Sequence, residues 1–190
     1  MARPITYDPS AVLDRAIDLF WDRGYQAVSV DDLVRTTGLN RHSLYGRYGN
    51  KFGLLKSALE RYCESCLDGI KSVLSGPGSG HERIEGLLSF RDPDCGNGFY
   101  RRMLDQGCLG FRMAAELRDT HPELEQLIQD KMLQLEKFLA VVIREGQADG
   151  SIQGRNPADD LATIVMDGYL APLMLPSHPR RKRAILSVLN

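Results

Sequence analysis

Apolar residues recur at three- and four-residue intervals along almost the whole chain, and no stretch sustains the two-residue alternation of a strand. This periodicity predicts an all-α protein of about nine helices. Asp8-Pro9 supplies an N-cap followed by proline at the first helical position. The stripe Val12, Leu13, Ala16, Ile17, Leu19 and Phe20 then continues to a stop at Gly24. Ser29-Val-Asp-Asp32 has capping-box spacing, with Asp where Glu or Gln is preferred, and opens a short helix that Gly38 ends. Asn40 caps a third helix from Arg41 to Arg47. Asn50 caps a fourth that starts at Lys51 and runs through Leu54, Leu55, Leu59, Tyr62, Leu67 and Ile70. Breakers follow at GPGSG, 76–80, and RDPDCGNG, 91–98. Around and beyond them the pattern predicts helices at roughly 81–90, 100–119, 122–147, 157–175 and 179–189.

Two short helices joined by a glycine-containing turn, here TTGLN at 36–40, outline a helix-turn-helix. Helical hairpins of this kind also occur in proteins that never touch DNA, so the outline needs chemical support. Charge distribution supplies it. The chain carries a formal charge of -1 overall, yet no acidic residue lies between Asp32 and Glu60. Arg35, Arg41, Arg47, Lys51, Lys56 and His42 sit in that gap beside Tyr45 and Tyr48. A surface that approaches phosphates excludes uncompensated carboxylates and uses cations, hydroxyls and helix N-termini. Arg41, His42 and Ser43 occupy the first turn of the second helix of the motif, with Tyr45 one turn on from Arg41. Lys51 stands at the N-terminus of the next helix, where its charge adds to the free N–H groups. Leu44 is assigned to the core. The plain alternative is a solvated basic face with two packing tyrosines.

The stretch LFWDRGYQAVSVDDLVRTTGLNRHSLYGRYGNKFGLLKSALERY resembles the N-terminal DNA-binding domain of the TetR family of bacterial transcriptional regulators. The shared features are the exit from the first helix at Phe20 to Gly24-Tyr25, the start at Ser29 and the turn at Gly38. Leu44-Tyr45 and Lys51 with Leu54-Leu55 complete them. Two positions depart: Tyr48 stands where Phe is usual, and Phe52 where an acid is usual. The resemblance implies a homeodomain-like three-helix DNA-binding domain over 1–50, with its motif at 29–48. It implies a regulatory, ligand-binding and dimerisation bundle over 51–190. Arg41 and His42 become the expected base readers, with Ser43 and Tyr48 beside them. Ser29, Tyr45 and Lys51 become phosphate contacts, and Arg47 serves either role. Gly46 offers no side chain.

The segment 107–152 is more loosely similar to the regulatory half of the same family. That similarity implies a homodimer through the last two helices, about 157–189, and a small-molecule inducer held within the bundle. Apolar and aromatic residues suited to a cavity include Tyr100, Met103, Phe111, Phe138, Met166 and Tyr169, though each also reads as plain core. Arg112 is a snorkelling cation or the partner of an anionic ligand.

Four cysteines without a secretory leader point to reduced thiols in a cytoplasmic protein. Cys63 and Cys66 share a helix face but lack a second ligand pair, so no metal and no cofactor is expected. Cys108 reads as core or as an electrophile-sensing thiol, which leaves a thiol- or metal-responsive regulator as the alternative function. No apolar run reaches the roughly 18 residues of a membrane span. No phosphate-cradling loop, HExxH or nucleophile elbow supports an enzyme. The expected partners are therefore a double-stranded operator, an inducer and a second copy of the chain.

Overall fold

A computed structural model describes residues 7–89, 98–174 and 181–189. Ten helices and no strand occur among them: α1 (Pro9–Arg23), α2 (Val30–Thr37), α3 (Arg41–Tyr48), α4 (Lys51–Leu74), α5 (Gly80–Ser89), α6 (Gly98–Gln106), α7 (Leu109–Glu116), α8 (Glu123–Ala148), α9 (Ala158–Met174) and α10 (Arg181–Ser187). The all-α expectation holds. The helix expected over 100–119 is two helices, because Gly107 takes a φ of 81° between α6 and α7. The breaker expected at 91–98 falls almost wholly outside the described residues.

The chain forms two compact units. One comprises Met1–Glu64 and Leu109–Leu127, the other Ser65–Cys108 and Ile128–Asn190. In the first, α1 begins at Asp8, whose side chain accepts from the Ser10 amide, with Pro9 opening the helix. Its apolar stripe buries Val12, Ala16, Ile17, Phe20 and Trp21. Leu33 from α2, Leu44 from α3, and Leu54, Leu55, Ala58, Leu59 and Tyr62 from α4 are buried as well. Trp21 meets Tyr62 edge-on, with ring centroids 5.2 Å apart. Each fully buried leucine contributes about 2 kcal/mol of transfer free energy.

The turn between α2 and α3 is set by side-chain chemistry. Gly38 adopts φ 76° and ψ 3°, the left-handed conformation in which a side chain is strained. The buried Thr37 hydroxyl donates to the Leu33 carbonyl at 2.6 Å and accepts from the Leu39 amide at 3.3 Å. Arg15 of α1 donates to the Thr37 carbonyl at 3.1 Å.

The second unit packs around Leu67, Ile70, Leu74, Ile84, Leu87, Leu139, Ile143, Leu161, Val165 and Tyr169, with Ile185 and Leu189 closing it near the chain end. Arg83 of α5 donates to Glu145 of α8 at 2.6 Å and to the Leu74 carbonyl at 3.1 Å, tying three helices together.

Candidate nucleic-acid interface

Helix α3 divides cleanly into a buried side and an exposed one. Leu44 is fully buried, so the helix is anchored through that residue. Its N-cap, Asn40, accepts from the Ser43 amide at 2.8 Å. Arg41, His42, Tyr45, Gly46 and Arg47 are exposed, and the helix itself carries no acid. Tyr45 keeps 42% of its surface accessible, much for an aromatic side chain. The Arg47 guanidinium lies 5.8 Å from the ring centroids of both Tyr7 and Tyr48. Burial pushes the half-buried Tyr48 phenol above its usual range, with the neighbouring Arg47 opposing that shift.

Helix α2 opens on a cap of its own. The Ser29 hydroxyl accepts from the Asp32 amide at 3.1 Å and donates to the Asp32 carboxylate at 2.6 Å, which also accepts from the Ser29 amide at 3.0 Å. The reciprocal box therefore forms with Asp in place of Glu. Hydrogen bonds from the Ser29 hydroxyl and amide, aided by Arg23 and Arg35, hold the Asp32 carboxyl well below the usual carboxylate range. Ser29, expected at a phosphate, has its hydroxyl engaged in this cap.

Lys51 also differs from expectation. Its ammonium turns inward, donating to the Tyr25 carbonyl at 3.0 Å and the Val28 carbonyl at 2.7 Å, and it lies 4.1 Å from the Tyr25 ring centroid. Burial lowers its pKa, and the negative charge of Glu116 works the other way. Glu116, the last residue of α7, accepts from the Tyr25 amide at 3.0 Å and the Gln26 amide at 2.7 Å. Phe52, in the position that departs from the family pattern, stacks on the His121 ring at 3.5 Å with an interplanar angle of 8°.

Two residues of this region escaped sequence reasoning. Asp31, in the first turn of α2, accepts from Arg41 at 2.7 Å, so the cation-rich face has a carboxylate beside it after all. Glu116 closes the α1–α2 loop from some ninety residues away, and no linear spacing announces it.

The candidate ligand residues fall in both units. Met103, Cys108, Met166 and Tyr169 are buried in the second unit, where Phe138 packs against the core. Phe111 and Arg112 belong to the first unit, and Arg112 donates to the Trp21 carbonyl at 2.7 Å. The Tyr100 side chain lies outside the described residues. Cys63 is buried and Cys66 half-buried. No group of three or more His, Cys, Asp or Glu that could hold a metal ion occurs among the described residues. No helix among them is long and apolar enough to cross a membrane.

An anchored second helix with an acid-free exposed face, on a capped frame of short helices, defines a helix-turn-helix DNA-binding domain. Residues 12–58 match the family described as bacterial regulatory proteins, tetR family, and residues 96–185 match the tetracyclin repressor-like C-terminal domain. The chain is 30% identical over 161 residues to YezE of Bacillus subtilis (strain 168), an uncharacterized HTH-type transcriptional regulator, covering 82% of this chain and 78% of that one. It is 28% identical over 150 residues to the HTH-type transcriptional repressor ComR of Escherichia coli (strain K12), covering 79% and 70%. In fold it is similar to a cysteine mutant of the TetR family transcriptional regulator CifR complexed with operator DNA, with TM-score 0.77, 24% identity and 98% of both chains covered. The chain belongs to the TetR family of bacterial transcriptional regulators, and it is a DNA-binding regulator of transcription.

Proposed function

We propose that the protein is a homodimeric repressor that binds a near-palindromic operator through two copies of α3 and is released by a small-molecule inducer. The observation that supports this most is the exposed face of α3, rich in cations and free of acids, on a helix whose position is fixed by buried Leu44. Arg41 and His42 read base edges from the first turn; Ser43, Tyr45 and Arg47 meet phosphates or sugars along the same face. Tyr48 supports Arg47. Ser29 and Lys51 act from behind the interface, through the cap and through the α1–α2 loop. Residues 1–50 supply the DNA contacts, and 51–190 supply ligand binding and dimerisation through α9 and α10.

An inducer held among Met103, Phe138, Met166 and Tyr169 shifts the population only by binding the low-affinity arrangement more tightly than the operator-bound one. The protein works in the cytoplasm without catalytic activity. Burial of Cys63 and Cys108 speaks for this reading over thiol sensing. Selection of bound duplexes from a random pool tests it. The expected result is an inverted repeat with half-site centres about 34 Å apart. Recovery of asymmetric or unrelated sequences would count against a dimer reading two half-sites.

A further inference from the structure

Two adjacent carboxylates open α2, and they do different things. Asp32 closes the cap on Ser29 and pairs with Arg23 and Arg35. Asp31 turns to the next helix, where its Oδ1 accepts from Arg41 Nη2 at 2.7 Å. Both side chains stay open to solvent, at 70% and 58%. The pair therefore links the first turn of α2 to the first turn of α3, at the residue best placed to enter a groove.

A carboxylate at this position needs a reason. Beside phosphates it opposes binding to every duplex alike. The helix start is already served by Asp32, so a second acid adds little there. Its effect on Arg41 is more consequential. A guanidinium on a long, rotamer-rich chain pairs with any phosphate it reaches, whereas recognition of a guanine edge requires its planar fork in one orientation. One of its five N–H donors is taken by Asp31, which leaves others to meet an acceptor pair.

We propose that Asp31 is a specificity-determining residue: its carboxylate orients Arg41 toward a base edge and withholds that cation from the phosphates of non-operator DNA. Specificity is a difference of affinities, so weakening the indiscriminate contact raises it as effectively as strengthening the chosen one. This inference rests on the reading of Arg41 as a base contact.

The test uses the full-length protein and the duplex selected by the wild type. Fluorescence anisotropy compares wild type, Asp31→Asn, Asp31→Glu, Arg41→Ala and the Asp31→Asn/Arg41→Ala double variant. Three duplexes are used: the selected site, the same site changed at the base pair whose preference Arg41→Ala abolishes, and a scrambled sequence. Asp31→Asn should bind the scrambled duplex about threefold or more tighter, since Arg41 is then free to pair with its phosphates. It should also lose a large part of a preference of roughly tenfold at Arg41's base pair. Asp31→Glu should retain part of that preference, and in the Arg41→Ala background Asp31→Asn should change no preference. Asp31→Asn with preference and scrambled-site affinity unchanged and only a lower melting temperature would reduce Asp31 to a helix-start residue. A gain on the scrambled duplex that is as large in the Arg41→Ala background would also overturn the proposal. If Arg41→Ala leaves every base preference intact, the reading of Arg41 fails first, and that result is visible before any Asp31 variant is considered.

Discussion

Replacing Glu116 tests whether the α1–α2 loop depends on α7. The carboxylate accepts from two successive backbone amides, Tyr25 at 3.0 Å and Gln26 at 2.7 Å. Gly24 precedes them, and a Cβ there would lie 3.0 Å from Glu116 Oε2. Hydrogen bonds to an ionised acceptor contribute about 1.5–3 kcal/mol when water is excluded. Glu116 is exposed, so water replaces much of what is lost, and about 1 kcal/mol for the pair is the better figure. For a chain of this length that corresponds to a fall in Tm of about 2–4 °C for Glu116→Ala. Glu116→Gln keeps one acceptor oxygen and should fall between. Circular dichroism melts measure the shift, and hydrogen exchange locates it, because the Tyr25 and Gln26 amides should lose protection while the α1 amides keep theirs. Unchanged exchange at those two amides, with Tm within about 0.5 °C of wild type, would show that the loop holds itself and that Glu116 is a bystander.

Asp32 makes stability depend on acid. Its carboxyl is held below the usual carboxylate range, so its contribution is complete above the unfolded value of about 3.9 and is lost as pH falls toward the depressed native value. Urea melts of Asp32→Asn should show a flatter pH dependence below about pH 4, and an unaltered slope would remove Asp32 from the acid response. Gly53→Ala places a Cβ 1.9 Å from the Tyr48 carbonyl oxygen, a backbone atom at the joint between α3 and α4. The roughly 1 kcal/mol that alanine gains over glycine in a helix is then outweighed by overpacking of about 1–3 kcal/mol. Both Tm and operator affinity should fall, whereas a higher Tm would mean that the joint yields freely. Lys51→Met removes the ammonium from two carbonyls while keeping its stem; the melting temperature should drop with the salt slope of DNA binding unchanged. A slope reduced by about one unit at constant Tm would return Lys51 to the phosphate contacts. Ile164 of α9 keeps 40% of its surface exposed, and Ile164→Glu should dissociate the dimer in sedimentation without altering the monomer's melting. A dimer that survives this change places the interface elsewhere.

The features legible in the sequence were those set by neighbours along the chain. Asp8, Ser29 and Asn40 announce helix starts because a short polar side chain satisfies a free amide two or three residues on. Gly24 and Gly38 announce ends because their backbones take positive φ. Apolar periodicity placed Leu44 inside and left Arg41, His42 and Tyr45 outside. The same periodicity misled across 100–119, where it runs on through Gly107 and hides the break between α6 and α7. Orientation of long charged side chains was not legible at all. Lys51 reads as a cation at a helix N-terminus, yet carbonyls brought beside it by the α1–α2 loop turn it inward. Asp31 reads as a helix-start acid until folding sets it against Arg41, ten positions on.

These contacts converge on Tyr25. Its amide is held by Glu116, its carbonyl by Lys51, and its ring by Lys51 on one side and His121 edge-on at 6.3 Å. Phe52, next to Lys51, stacks on that same His121. The loop that leads into α2 is therefore fixed less by its own sequence than by α4's first residues and by the segment around α7. Leu109–Leu127 belongs to the same folded unit, and its Glu116 and His121 supply the partners of the Tyr25 amide and the Phe52 ring. Residues 109–127 thus touch Tyr25 directly, four positions before the Ser29 cap that opens α2. The Asp31–Arg41 pair in turn links the first turn of α2 to the first turn of α3. The departure from family pattern at Phe52 sits inside that chain of contacts, where an acid could not stack on an imidazole ring.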